Sequence, residues 1–160
     1  MWGNHGVRVL TQAAGLGWAS GGRSTAGLTA LALSSPPQPA SHQPLAALTG
    51  RRGRRLAPLL FLGELVGDKL PSTPSRLAPP VLIARLGTGG LAAYALSRRQ
   101  HVAPMLPALV GSMAALAGSV VGLRWRKIAA DRGWPDLPAA LVEDVAVIGL
   151  AGAAARRWVD

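Results

Sequence analysis

The chain has 160 residues, a formal net charge of +10 and no cysteine, and 49% of its residues are hydrophobic. That length fits one compact domain, and a mean hydropathy of +0.29 is high for a soluble one, which points to a lipid environment. The missing cysteines exclude disulfides, thiolate zinc sites and thiol catalysis, and His5, His42 and His101 are too scattered to form a metal-ligand pattern.

Five apolar segments succeed one another along the chain, at roughly 8–33, 56–70, 79–97, 103–123 and 138–155. They predict an all-α fold: a polytopic transmembrane helical bundle of about four to five membrane segments, some short or broken by Gly and Pro, in a single membrane domain over residues 1–160. In the first segment Ala30-Leu31-Ala32 looks like a signal-peptidase site, and no acidic residue precedes Glu64, as in transit peptides. Arg23 and the Gly21-Gly22 pair interrupt the apolar core that a signal would need. The segment therefore reads as an imperfect membrane helix, with cleavage after Ala32 as the alternative.

Residues 34–55 form a predicted loop, because the prolines between Ser34 and Pro44 remove backbone donors and the stretch has no apolar face to bury. The loop ends in Arg51-Arg-Gly-Arg-Arg55. The second segment carries Glu64 and Asp68, and beyond it Thr73, before Pro74, is a candidate N-cap. The third segment carries Arg85 in a Gly-rich stretch and closes on Arg98-Arg99.

The fourth segment is the clearest. Val102–Leu123 is 22 residues without a charge, enough at about 1.5 Å per residue to cross a hydrocarbon core of roughly 30 Å. Gly111, Ala115, Gly118 and Gly122 lie on one helical stripe with a Gly-x-x-x-Gly step, a surface that lets backbones approach closely within the bundle or between protomers of a homo-oligomer. The fifth segment is preceded by Asp136, a candidate N-cap two residues before Pro138, and is interrupted by Glu143 and Asp144. Trp125, Trp134 and Trp158 flank the last two segments as an interfacial belt would.

A basic balance this strong raises nucleic acid as a partner, but the Lys and Arg clusters lie at the borders of apolar segments and aromatic residues make up only 4%. Membrane lipids are the expected partner instead, and no nucleic acid. Placing clusters 51–55, 98–99 and 156–157 inside gives eight Lys and Arg inside against seven outside, a near-balance that weakly favours an external N-terminus and an internal C-terminus.

Charges within apolar runs are the candidate functional residues. Glu64 and Asp68, four residues apart, share a helix face, with Lys69 beside them; Glu143 and Asp144 are adjacent and point about 100° apart. An ionised carboxylate at bilayer depth costs about 2.5 to 3.5 kcal/mol on insertion scales, so these groups must face protein, water, a counter-ion or each other, or be protonated. Arg23 and Arg85 are the opposing cations, each in a Gly- and hydroxyl-rich stretch and each followed by an acidic segment, a pattern shared with broken-helix transporters. Gly21-Gly-Arg-Ser-Thr25 could also receive a phosphate on its backbone N–H groups. No Ser-His-Asp spacing, His-x-x-x-His pair or strand-borne phosphate loop is present, so neither an enzyme nor a cofactor is expected.

Gly21–Thr25, Gly63–Arg76 and Leu141–Gly149, the middle stretch most specifically, resemble a bacterial family of small integral membrane proteins that carries a domain of unknown function. The resemblance covers about residues 14 to 156 and implies a multi-pass protein of the bacterial inner membrane, without implying a reaction. Glu64-Leu-Val-Gly-Asp68-Lys69 is also similar to the Glu-x-Gly-Asp-Lys-Thr motif of membrane calcium and manganese exchangers. Its Glu and Asp are one residue further apart and Leu70 replaces the hydroxyl residue, so that motif serves only as an analogy for a cation site. Two functions are expected from these readings: a small cation or proton transporter or channel using Glu64, Asp68, Lys69, Glu143, Asp144, Arg23 and Arg85, or a non-transporting scaffold or lipid-interacting protein whose buried charges fix helix register.

Overall fold

A computed structural model describes residues 3–34, 51–67 and 78–156. All secondary structure among these residues is α-helical: α1 (Asn4–Gly22), α2 (Ala26–Ser34), α3 (Arg51–Gly67), α4 (Pro79–Arg99), α5 (Met105–Asp131) and α6 (Asp136–Ala155). Asp68, Lys69, Thr73, His42 and Trp158 lie outside the described residues.

Among the described residues two helices, α5 and α6, are long and apolar enough to cross a membrane, with mean hydropathy 1.8 and 1.7. This is fewer than the four to five segments expected. Helices α2 and α3, at 9 and 17 residues, are too short, and α1 and α4 carry too many glycines and polar side chains along their length.

Segment 8–33 is not one imperfect helix, because the chain reverses at Arg23–Thr25. α2 folds back along α1, so that a Cβ on Gly27 would come within 2.6 Å of both the Leu16 carbonyl oxygen and the Ser20 hydroxyl. Leu31 of α2 joins Leu16 of α1 in one core cluster with Ala92, Ala95 and Leu96 of α4 and Ala154 and Ala155 of α6. The Gly-rich stretch around Arg85, by contrast, is continuous helix, so the two halves of the chain are not built alike. The expected loop to residue 55 also ends earlier, since α3 begins at Arg51 and takes in the whole basic cluster. Nor does Asp136 cap α6 from outside: Pro135 holds that position, and Asp136 lies in the first turn.

α1 is the centre of the bundle, packed against α2, α4, α5 and α6, and its Val9, Ala13, Leu16 and Ala19 are wholly buried. Small residues permit this. A Cβ at Gly17 would fall on the Gly111 carbonyl oxygen, and one at Gly118 on the Trp18 carbonyl oxygen, so the α1 and α5 backbones touch where glycine is the only residue that fits. Gly111, Ala115, Gly118 and Gly122 are all buried, and the stripe packs against α1 and α4 of the same chain. The outer faces of α5 and α6 carry exposed Met105, Leu109, Met113, Val145 and Ile148.

Candidate functional site

A chain reversal inside a bundle exposes the last carbonyls of one helix and the first N–H groups of the next, and each must find a partner. Here side chains supply them. Arg85, reaching from α4, donates through Nη1 to the carbonyls of Gly21 and Gly22, the latter at 3.1 Å. The Ser119 hydroxyl of α5 donates to the Gly21 carbonyl at 3.1 Å. At the start of α2 the Glu64 carboxylate of α3 accepts from the backbone N–H groups of Ser24 (2.5 Å) and Thr25 (3.0 Å) and from the Thr25 hydroxyl (2.8 Å). A cation thus sits at the negative end of α1 and an anion at the positive end of α2, the arrangement that helix dipoles favour. The N–H groups that the sequence offered to a phosphate hold a carboxylate of this chain instead.

Between the two helices Arg23 has an extended backbone, φ −138° and ψ 118°, which turns its side chain away from both helix axes and toward α6. Its Nε and Nη2 donate to Asp144 Oδ1 at 2.9 and 2.6 Å. Arg23 and Arg85 are each 1% exposed, and Asp144 is 6% exposed. Glu64 Oε1 lies 4.0 Å from Arg85 Nη2, so two guanidinium–carboxylate pairs, Arg85–Glu64 and Arg23–Asp144, ring the reversal. Ser119 lies near the middle of α5 and Asp144 near the middle of α6, so the ring sits at mid-depth of the two apolar helices.

Glu143 and Asp144 do diverge around α6, yet both are buried. Glu143 Oε2 lies 4.0 Å from Arg126 Nη1 of α5, and Arg126 is itself bound by Asp136, through Nη2 at 2.6 and 2.7 Å and Nε at 3.1 Å. Beside them Trp125 and Trp134 meet edge to face, ring centroids 5.9 Å apart, and the Trp125 indole donates to the Ala139 carbonyl at 3.1 Å.

α2 is also gripped at its far end. Arg99 of α4 and Arg54 of α3 donate to the carbonyls of Leu31 and Ala32 at 3.0 and 3.3 Å, and Thr29 donates to the Ala57 carbonyl at 3.1 Å. α3 therefore offers α2 a cation at its C-terminus and an anion at its N-terminus, ten residues apart along one helix. Burial lowers the pKa of Arg99 below the ordinary arginine value.

The structure brings Arg23 to Asp144 and Arg85 to Glu64. Ser119, Arg54, Arg126 and Asp136 do not stand out in the sequence as parts of one site, hidden by an N-cap reading of Asp136 and a membrane-border reading of Arg54 and Arg126; Ser24 and Thr25 stand out only as part of a phosphate-binding stretch. Among the described residues no group of three His, Asp or Glu side chains could hold a metal ion. Comparison of the chain with protein-family models, with curated proteins and with solved structures finds no match.

Proposed function

We propose that this is a multi-pass integral membrane protein that carries protons or small cations, with the Arg23–Asp144 and Arg85–Glu64 ring as its site. The observation that carries the reading is a helical reversal held by charges at mid-depth of two apolar helices. Irregular backbone at membrane depth is tolerated only inside protein or along a water-filled cavity, and ionisable groups there pair with one another on ion and proton paths. Opposed helix ends that present carbonyls and N–H groups to charges are also how broken-helix transporters make their sites. The exposed Leu, Met, Val and Ile side chains of α5 and α6 suit a hydrocarbon surround.

The test is flux through reconstituted proteoliposomes, screened across protons, sodium, divalent cations and halides. Wild-type protein should conduct protons or a cation, and Asp144→Asn should abolish the flux while membrane insertion persists.

A second reading is favoured by one observation: the carboxylates of Glu64 and Asp144 are already engaged by this chain's own donors. A scaffold whose charges specify one helix arrangement needs no more than that. Absence of flux from wild-type protein for every ion screened, together with unfolding of each charge variant, would establish it.

A further inference from the structure

The two ends of the bundle differ in charge. Helices α1, α3 and α5 start at one end, where α2, α4 and α6 finish. His5 Nε2 lies 3.3 Å from the Gln100 carbonyl, Gln12 Nε2 donates to the Arg156 carbonyl and Gln100 Nε2 to Gln12 Oε1, each at 2.8 Å, and Arg54 and Arg99 donate to carbonyls in the last turn of α2. Because the first apolar segment is a hairpin, it returns to the end it left, so the start of α1 and the end of α6 share one end and are not on the opposite sides that the sequence favours. Arg8 thereby joins the clusters from which the charge count set it apart. Arg8, Arg55, Arg98 and Arg156 are exposed there, beside the half-buried Arg54 and Arg99. Among the described residues no Asp or Glu lies at this end: Glu64, Glu143 and Asp144 sit near mid-depth, and Asp131 and Asp136 belong to the other end, interspersed with Arg124, Arg126, Lys127 and Arg132. Apolar surface begins directly beneath the arginines. Leu56, Leu59 and Leu60, in the two turns of α3 after Arg55, are 55%, 62% and 63% exposed, and Met105 at the start of α5 is 75% exposed.

We propose that this end of the bundle is a docking surface for anionic phospholipid headgroups, with Arg55, Arg98 and Arg156 as its exposed contacts. The proposal rests on the membrane part of the function above, for which it names the lipid partner, and takes nothing from the transport part. Guanidinium groups standing over an apolar band match the layers of one leaflet, in which phosphate lies outside and acyl chain inside. A guanidinium meets a phosphate with two parallel N–H donors, and attraction to a negative membrane surface grows with each arginine near it. A nucleic acid would answer the same positive charge but not the leucines beneath it. Arg54 and Arg99 support this surface from behind by holding the end of α2.

The experiment reads lipid selectivity of the full-length protein in detergent, by native mass spectrometry with dioleoyl phosphatidylglycerol and dioleoyl phosphatidylcholine. Wild-type protein should retain severalfold more of the anionic lipid. Arg55→Gln, Arg98→Gln and Arg156→Gln together should remove that preference, whereas Lys at the same three positions should keep most of it. Arg124→Gln, Lys127→Gln and Arg132→Gln, a neutralisation of equal size at the other end, should leave it unchanged. Equal loss in the two Gln triples overturns the proposal, as does a preference that survives the first of them. Loss in the Lys triple as large as in its Gln counterpart would assign the effect to packing and overturn it too. So would tighter binding of inorganic phosphate, or of a short DNA duplex, than of phosphatidylglycerol. Extraction of membranes with alkaline carbonate separates the two ways of failing. A protein that stays in the membrane but shows no preference rejects the headgroup surface alone, whereas one that carbonate releases and that still prefers the anionic lipid keeps this surface and rejects the spanning bundle.

Discussion

Arg23 and Asp144 are each buried with a charge that water would otherwise solvate, so removing either one costs the other its buried ion-pair partner. Replacing either by Ala should destabilise the protein by about 3–5 kcal/mol, whereas Arg23→Met combined with Asp144→Leu should recover most of that loss. Thermal unfolding of the four proteins in one detergent checks this; a double variant as unstable as the sum of the singles would show that the pair is not the unit. At this scale the sequence was informative because a charge inside an alanine- and leucine-rich run is an outlier that demands a partner. Arg23, Arg85, Glu64, Glu143 and Asp144 stand out in that way. Ser119, Ser24 and Thr25 do not, since small hydroxyl residues recur along the chain and their role is fixed by the backbone groups beside them.

α2, at nine residues, is too short to be stable by itself. Of its two ends, α3 holds the N-terminus through Glu64 and shares the C-terminus with α4, through Arg54 and Arg99 respectively. Glu64→Ala removes the acceptor for two backbone N–H groups and should cost about 0.5–2 kcal/mol, the usual range for a lost N-cap. Combined with Arg54→Ala it should speed amide exchange across Ala26–Ser34 while leaving α5 protected, as hydrogen–deuterium exchange would show. Equal loss of protection in α2 and α5 would mean that α3 supports the whole bundle and not this one helix. The pairing was not legible because Arg54 belongs to a cluster that reads as a membrane border, and a border residue and a helix cap share one composition. The reversal at Arg23 was hidden for a related reason: a Gly-Gly pair signals a break, while the angle of the break depends on the contacts beyond it. The small-residue stripe on α5 was plain in sequence, since its spacing alone puts four small residues on one face.

For the molecule as a whole, the apolar outer faces of α5 and α6 are the surface that suits lipid as the solvent of the proposed membrane protein. High salt and alkaline carbonate should both leave the protein in the membrane pellet, and only detergent should release it; release by salt alone would make it a peripheral protein held by its basic surface. Helical class was readable from periodicity, whereas of the five apolar segments only the last two form, among the described residues, helices long and apolar enough to cross a membrane.

The Arg23–Asp144 contact joins residues 121 positions apart. At a synthesis rate of about 5–20 residues per second, the ribosome delivers the aspartate roughly 6–24 s after the arginine. Throughout that interval Arg23 waits for the carboxylate it meets in the finished fold, and chains cut short before the last helix would lack the Arg23–Asp144 pair altogether.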